Sequence, residues 1–388
     1  MARDTLLREA MKFYFRRMPG ARAGALWTLC VLSAASAAAL DVLPGMPPLL
    51  DPHNVYSAAA PGKLAEVVKA FPARVYVPNS KSDTVDVIDP ATFKIVGHFA
   101  LPKRSNHLLE PQHVVPSWDL KRLWVAQDLG DQLTMFDPAT GKMGKSIQVD
   151  DPYNMYFTPD GKYAIVMAER EKRIDFRDAD TMQVVKRVPV NCEGVNHADF
   201  TPDGRFMIAT CEFSSELIKV DVAAKTVLSH LKLEPKGMPQ DCRLSPDGKV
   251  FYVANMDANG VHVIDGNAFR QIEFIRTGKG AHGLYFSRDV KYVYVSNRGE
   301  GSVSLIDLAT RKVATKWMIP GGGSPDMGGV SADGKLLWLS GRYNREVYVF
   351  DTSNGSLRAR IRVGDGPHGM CVYPQPGRYS LGHTGNMR

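Results

Sequence analysis

The chain has 388 residues, 44% of them hydrophobic and 23% charged, which supplies a core and excludes a wholly disordered polymer. Its formal charge of +7 is uneven: residues 1–39 carry Arg3, Arg8, Lys12, Arg16, Arg17 and Arg22 against only Asp4 and Glu9. What remains after this leader is too weakly basic for general nucleic-acid affinity, which rests on neutralising many phosphates.

The leader has a positive stretch ending at Arg22, an apolar run from Ala25 to Ala39 and small residues Ala37, Ala38 and Ala39 that offer an A-x-A cleavage site. The run is about 15 residues, short of the roughly 20 that cross a bilayer as a helix. The expectation is an export signal over residues 1–39, no membrane span after its removal, and a periplasmic or secreted protein. Arg16 and Arg17 hint at twin-arginine export, although Met18 and Pro19 fit that signal poorly, and Cys30 lacks the small residue that precedes a lipidated cysteine. Residues 40–69 are rich in Pro and Ala and read as a linker or strap, with one helical turn or two over Lys63 to Lys69.

From residue 70 one unit recurs. Its second strand reads VYVPN from Val75, LWVAQ from Leu123, AIVMA from Ala164, MIATC from Met207, FYVAN from Phe251, VYVSN from Val293 and LWLSG from Leu337. Turn signals such as TPDGK at Thr158, TPDGR at Thr201, SPDGK at Ser245 and SADGK at Ser331 precede these strands, because Asp and Gly tolerate the positive φ of tight hairpins. The third strand ends at Asp89, Asp137, Asp178, Asp221, Asp265, Asp307 and Asp351, spaced 48, 41, 43, 44, 42 and 44 residues apart. That is the length of a four-stranded propeller blade. The aspartates read as turn residues that accept local N–H bonds, not as catalytic groups. The first unit lacks an inner strand and the chain supplies one near its end, PHGMCVYPQPG from Pro367. The predicted fold is therefore all-β, a seven-bladed β-propeller over residues 70–388, closed by pairing the C-terminal strand with the first blade. RYSLGHTG from Arg378 resembles another second strand, a place Val75 already fills, so the tail is left open between the channel and the outside.

At VYVPNSKSDTVDVIDPATFKIV, VYVSNRGEGSVSLIDLATRKVA and VYVFDTSNGSLRARIRVGDGPHG the chain resembles the YVTN-repeat propellers, the YncE-like family of exported bacterial proteins, over essentially residues 70–375. The resemblance implies the fold and no single reaction. Relatives by fold include lactone hydrolases and the d1-haem domain of nitrite reductases.

Inner strands line the channel of a propeller. Counting back from the second strands, the first channel position holds Gln112, Tyr153, Asn196, Gln240, His282, Asp326 and His368, and the next holds His113, Asn154, His197, Asp241, Gly283, Met327 and Gly369. Six of the seven first residues are His, Asn, Gln or Asp, a polar ring where strand cores are normally apolar. Three readings compete: a water-filled mouth, a small-ligand site, and a metal or haem site on His113, His197, His282 and His368. Strand alternation turns His113 and His197 away from His282 and His368, which counts against the metal. On the loop face Arg170, Arg298, Arg342 and Arg345 would form a carboxylate or phosphate clamp if they converge. The Lys103–Pro111 insertion adds His107 and Glu110 to that rim.

Cys192 and Cys211 flank one hairpin, and a disulfide is the first reading, ahead of isolated thiols and of a thiolate metal site with His197. Cys242 and Cys371 read as small core residues. No G-x-S-x-G, Walker, H-E-x-x-H or Cys-x-x-Cys-His motif is present. The sequence thus supports an exported, non-catalytic binding propeller whose small ligand or exported protein partner meets His113, Asn154, Asn196, His197, Gln240, Asp241, His282, Asp326 and His368. Arg170, Arg298 and Arg342 join them on the rim. The alternative is a metal- or haem-handling protein, or an enzyme of the hydrolase or oxidoreductase-associated kind, using the histidines. The sequence requires no cofactor and does not settle the metal.

Overall fold

Hairpin chemistry sets the blades. In successive turns a Ser or Thr hydroxyl donates to the aspartate two residues on, as in Thr158–Asp160, Ser245–Asp247 and Ser331–Asp333, each at 2.6 Å. The aspartates ending the third strands accept backbone N–H bonds from the following turn, for example Ala91 to Asp89 at 3.0 Å and Thr310 to Asp307 at 2.8 Å. Each blade thus satisfies its turns within a few residues of chain.

The computed structural model describes residues 42–103 and 106–388. The leader over residues 1–39, with Arg16, Arg17 and Cys30, lies outside the described residues, as do Arg104 and Ser105 of the Lys103–Pro111 insertion. The chain forms seven four-stranded antiparallel sheets. In the first, Cys371–Tyr373 pairs with Arg74–Asn79 in the register Arg74 to Tyr373, Val75 to Val372 and Tyr76 to Cys371, which closes the ring. Inner strands such as Pro111–Pro116 and Pro239–Leu244 are buried along their whole length, whereas outer strands such as Lys142–Gln148 and Lys94–Ala100 are largely exposed. Between them Trp338, Tyr252 and Phe136 pack the blade faces.

Residues 42–73 cross the turn face. Leu43 N–H donates to Asp203 O at 2.8 Å, Val55 to Pro246 O at 2.8 Å and Gly62 to Ala332 O at 2.9 Å, so this strap binds the inner hairpin turns of blades four, five and seven. It carries two 3-10 turns, Ser57–Ala59 and Glu66–Val68, the second inside the Lys63 to Lys69 segment. Among the described residues no helix is long and apolar enough to cross a membrane.

The tail fills the channel. Phe157 N–H donates to Leu381 O at 3.0 Å and His383 N–H to Met155 O at 2.8 Å, while Arg388 Nη2 donates to Asp199 Oδ1 at 2.7 Å. Tyr379, Leu381 and Met387 are buried. Gly382, at φ +102°, passes so close to blade three that a Cβ would lie 2.4 Å from Tyr156 Cα. Only glycine allows that approach. The likeness of RYSLGHTG to a second strand is therefore local, and its apolar and cationic groups find partners on the inner strands instead.

Candidate functional site

Strict alternation separates the channel histidines into two sets, and the structure overturns that expectation. Inner strands carry a register shift at these positions, between Pro111 and His113, Val195 and Ala198, Pro239 and Cys242, Ala281 and Leu284, and Pro325 and Gly328. Each shift places one extra residue on the inner strand, a β-bulge that re-aims side chains. Both channel positions then face inward.

His113, His197, His282 and His368 consequently pack together. Ring centroids are 5.0 Å apart for His113 and His368, 5.5 Å for His113 and His197, 5.8 Å for His282 and His368 and 6.3 Å for His197 and His282. A fifth imidazole, His383 from the tail, lies 5.3 Å from His113 and 5.1 Å from His197. Gly369 makes room, since a Cβ there would sit 2.2 Å from His113 Cδ2. Two groups have ligand atoms within 4.8 Å of one another: His113, His197 and His383, and His282, Asp326 and His368.

All five rings are buried at 2% exposure or less, and burial keeps them neutral. The imidazole of His113 is pushed down to about 3 by desolvation and that of His282 to about 4 by desolvation and the Arg298 charge. Desolvation holds His197, His368 and His383 well below the usual range. Each neutral ring keeps one lone pair for an ion or a donor. Burial opposes the charge of Asp326, yet the Arg298 guanidinium first, with the hydrogen bond from His282, outweighs it and holds the carboxyl well below its ordinary value. Arg298 Nε and Nη2 donate to Asp326 Oδ1 at 3.0 and 2.8 Å, and His282 Nδ1 lies 3.0 Å from the same oxygen. His113 Nδ1 is 2.9 Å from Tyr153 O, which orients that ring and leaves Nε2 free.

The remaining atoms are not satisfied. His113 Nε2, both nitrogens of His197, His368 Nδ1, His383 Nε2, Asp241 Oδ1 and Asp326 Oδ2 have no hydrogen-bond partner. Native proteins rarely leave such groups buried and unpaired. Of the other channel residues, Asn154 Nδ2 is 3.0 Å from His383 Nδ1, and Asn196 Nδ2 donates to Glu212 Oε2 at 2.8 Å. Gln240 and Asp241 are buried in blade five, where desolvation raises Asp241 to about 7.

The predicted arginine clamp does not form, because each guanidinium is drawn to its own nearby acceptor. Arg170 is held by Asp128 and Asp151 at 3.2 and 3.0 Å, and Arg345 pairs with Asp365 at 2.6 Å. Arg342 donates to Ser80 Oγ at 2.9 Å. Only Arg298 enters the ring. Above it Glu169 is raised to about 9 by burial and by Glu212 and Asp128, and burial also raises Glu212. Cys192 and Cys211 form a disulfide, and Cys242 and Cys371 are buried thiols. His383 is the residue that sequence reasoning missed. Its signal was a Gly-His-Thr-Gly run with no place in the repeat.

Imidazole donors in this number suit a late transition ion such as zinc or copper. Zinc–nitrogen bonds of about 2.0–2.1 Å need nitrogens about 3.4 Å apart, so the cluster must contract modestly around an ion.

The YNCE-like beta-propeller family matches residues 30–377. Antigen Lp49 of Leptospira interrogans is 26% identical over 193 residues, 44% of this chain and 41% of its own. Protein NirF of Pseudomonas aeruginosa is 32% identical over 127 residues, 32% of each chain. The chain thus spans less than half the length of either relative. Among solved structures, hydrazine synthase of Kuenenia stuttgartiensis has a TM-score of 0.59 at 20% identity, covering 70% of this chain and 91% of that one. The dihydro-haem d1 dehydrogenase NirN in complex with DHE has 0.59 at 17%, covering 84% and 79%. At these identities the solved structures establish the shared fold alone.

Proposed function

The chain belongs to the YNCE-like β-propeller family, and from that premise we propose that it is an exported, non-catalytic propeller that binds a late transition-metal ion in its channel. The observation that carries this reading is the set of unpartnered nitrogens on four neutral, buried imidazoles, those of His113, His197, His368 and His383. His113, His197 and His383 hold the ion. Asp326 orients His282 and His368 beside it, as carboxylates orient ligating histidines from outside the first ring of donors. Export is supported by the pattern of residues 1–39 and agrees with the Cys192–Cys211 disulfide.

At the loop face Tyr343, 65% exposed, packs its ring on the Arg298 guanidinium, 5.8 Å from the ring centroid. With Met256 it lines an open pocket where a small molecule or an exported protein delivers or takes the ion. The dihydro-haem d1 dehydrogenase activity of NirN is not carried over, because at 17% identity that protein shares the fold alone.

The test is metal content by mass spectrometry after loading the full chain with zinc or copper, with cobalt as a spectroscopic probe. Stoichiometric metal, lost by tenfold or more in His197→Ala and in His383→Ala but retained in the outer-strand variant His98→Ala, is expected. A wild-type protein that stays metal-free after loading and dialysis would sink the proposal.

A further inference from the structure

The opposite end of the channel holds a second, unrelated cluster. Arg243, at the end of an inner strand, is 7% exposed, and its Nε and Nη1 have no hydrogen-bond partner. Across the same cavity Arg288 reaches only neutral oxygens: Val330 O at 2.6 Å, Ser331 O at 3.2 Å and Gln375 Oε1 at 3.4 Å. Tyr56 of the strap and Thr384 of the tail complete the walls. Among the described residues neither guanidinium has a carboxylate within ion-pair distance. Asp199 is committed to Arg388 at 2.7 Å and accepts the Leu244 N–H at 2.8 Å. Asp241 faces His383, at 3.7 Å.

The charges of Asp241, Tyr56 and Asp199 outweigh the burial of Arg243 and raise its guanidinium above the ordinary value, but half-buried Arg288, facing the same cavity, meets only neutral oxygens, which do not offset its desolvation or its repulsion by Arg243. Burial and the Arg243 charge together lower Arg288 to about 10. A small oxyanion would remove both penalties, since guanidinium groups bind carboxylate, phosphate and sulfate through charge-assisted bonds. We propose that Arg243 and Arg288 form a binding site for a small oxyanion beneath the strap, separate from the histidine cluster. Arg243 contributes the unused Nε and Nη1 donors, and Arg288 faces the anion from the other wall. Because Thr384 lines this cavity and His383 precedes it in the chain, the bound anion also fixes the segment that delivers the fifth imidazole.

The experiment is calorimetric melting and isothermal titration of the full chain with sodium phosphate, sulfate or acetate against sodium chloride at matched ionic strength. One saturable site is expected, with a rise in Tm of about 2 °C at ten times Kd. Arg288→Gln abolishes it and Arg345→Gln, a surface ion-pair variant, keeps it. Preference for acetate assigns a carboxylate, preference for phosphate or sulfate a tetrahedral anion. Arg243→Gln serves as a second probe where Arg288→Gln does not fold. No saturable binding by the wild-type chain, or binding retained in Arg288→Gln, overturns the site whatever the metal experiment shows.

Discussion

The outer three strands of each blade and the channel differ in how they treat polar atoms. At the blade corners one solution is repeated: a turn aspartate or a Ser-to-Asp bond satisfies the polar groups of the turn locally, as at Asp137 with the Ala139 N–H at 2.9 Å and Ser287 with Asp289 at 2.7 Å, while single buried atoms such as Tyr76 Oη and His262 Nδ1 lack a partner on the outer strands. In the channel the solution changes from blade to blade, bulges interrupt the pairing, and buried nitrogens and oxygens are left without partners. Repetition marks where packing alone decides the residue. The breaks in it mark where a ligand is expected, because there several unsatisfied groups converge within 4.8 Å of one another instead of standing singly.

The tail is the element that makes the channel unlike the rest, so its removal is the strongest test of the comparison. Ending the chain after Gly377 leaves Asp199 buried without Arg388 and strips Tyr379, Leu381 and Met387 from the inner strands. Breaking a buried ion pair by removing one partner costs about 3–5 kcal/mol, and the lost apolar burial adds to it. A fall in Tm of about 5–10 °C is expected, read by calorimetry. A truncated chain that melts with the full one would make the tail a passenger and leave the channel no different from the blades.

Most of the outer region was legible in the sequence, because a period, a turn signature and a strand-ending aspartate recur in each unit. The channel was legible in composition only. Gln112 through His368 were placed at its wall by counting, but counting assumes regular alternation, and the bulges at His113 and His197 are set by the crowding of seven strands about one axis. The position of Arg170 against Asp128 and Asp151 depends on which loops touch, which no local pattern encodes. His383 was hidden for a related reason: it belongs to no repeat, and its partners Met155 and Asn154 lie more than two hundred residues earlier.

A medium effect tests the acidic end of the channel. Glu169 has its carboxyl raised to about 9 by burial first, then by Glu212, Asp128 and other acids. The folded state therefore holds a proton that the unfolded chain releases above its ordinary value of 4.5. Stability is fully present below that value and falls as pH rises toward 9, by at most about 1.4 kcal/mol per pH unit for this group. Urea unfolding between pH 5 and 8 is expected to show this decline in the wild type and a flatter profile in Glu169→Gln. An equal slope in both would show that the carboxyl is already ionised and solvated, as it is on an ordinary outer loop.

The smallest effect comes from the outer turns and completes the contrast. Asp265 accepts N–H bonds from Asn267 at 3.0 Å and Ala268 at 2.9 Å on an exposed corner, and these two bonds hold its carboxyl below the usual range. Water replaces them readily, so Asp265→Ala is expected to lower Tm by about 1 °C and Asp265→Asn by less, with bound metal unchanged in both. The order matters more than the size. If Asp265→Ala emptied the channel of metal while His197→Ala did not, the repeated corner would be the functional element, and the irregular channel would owe its form to packing alone.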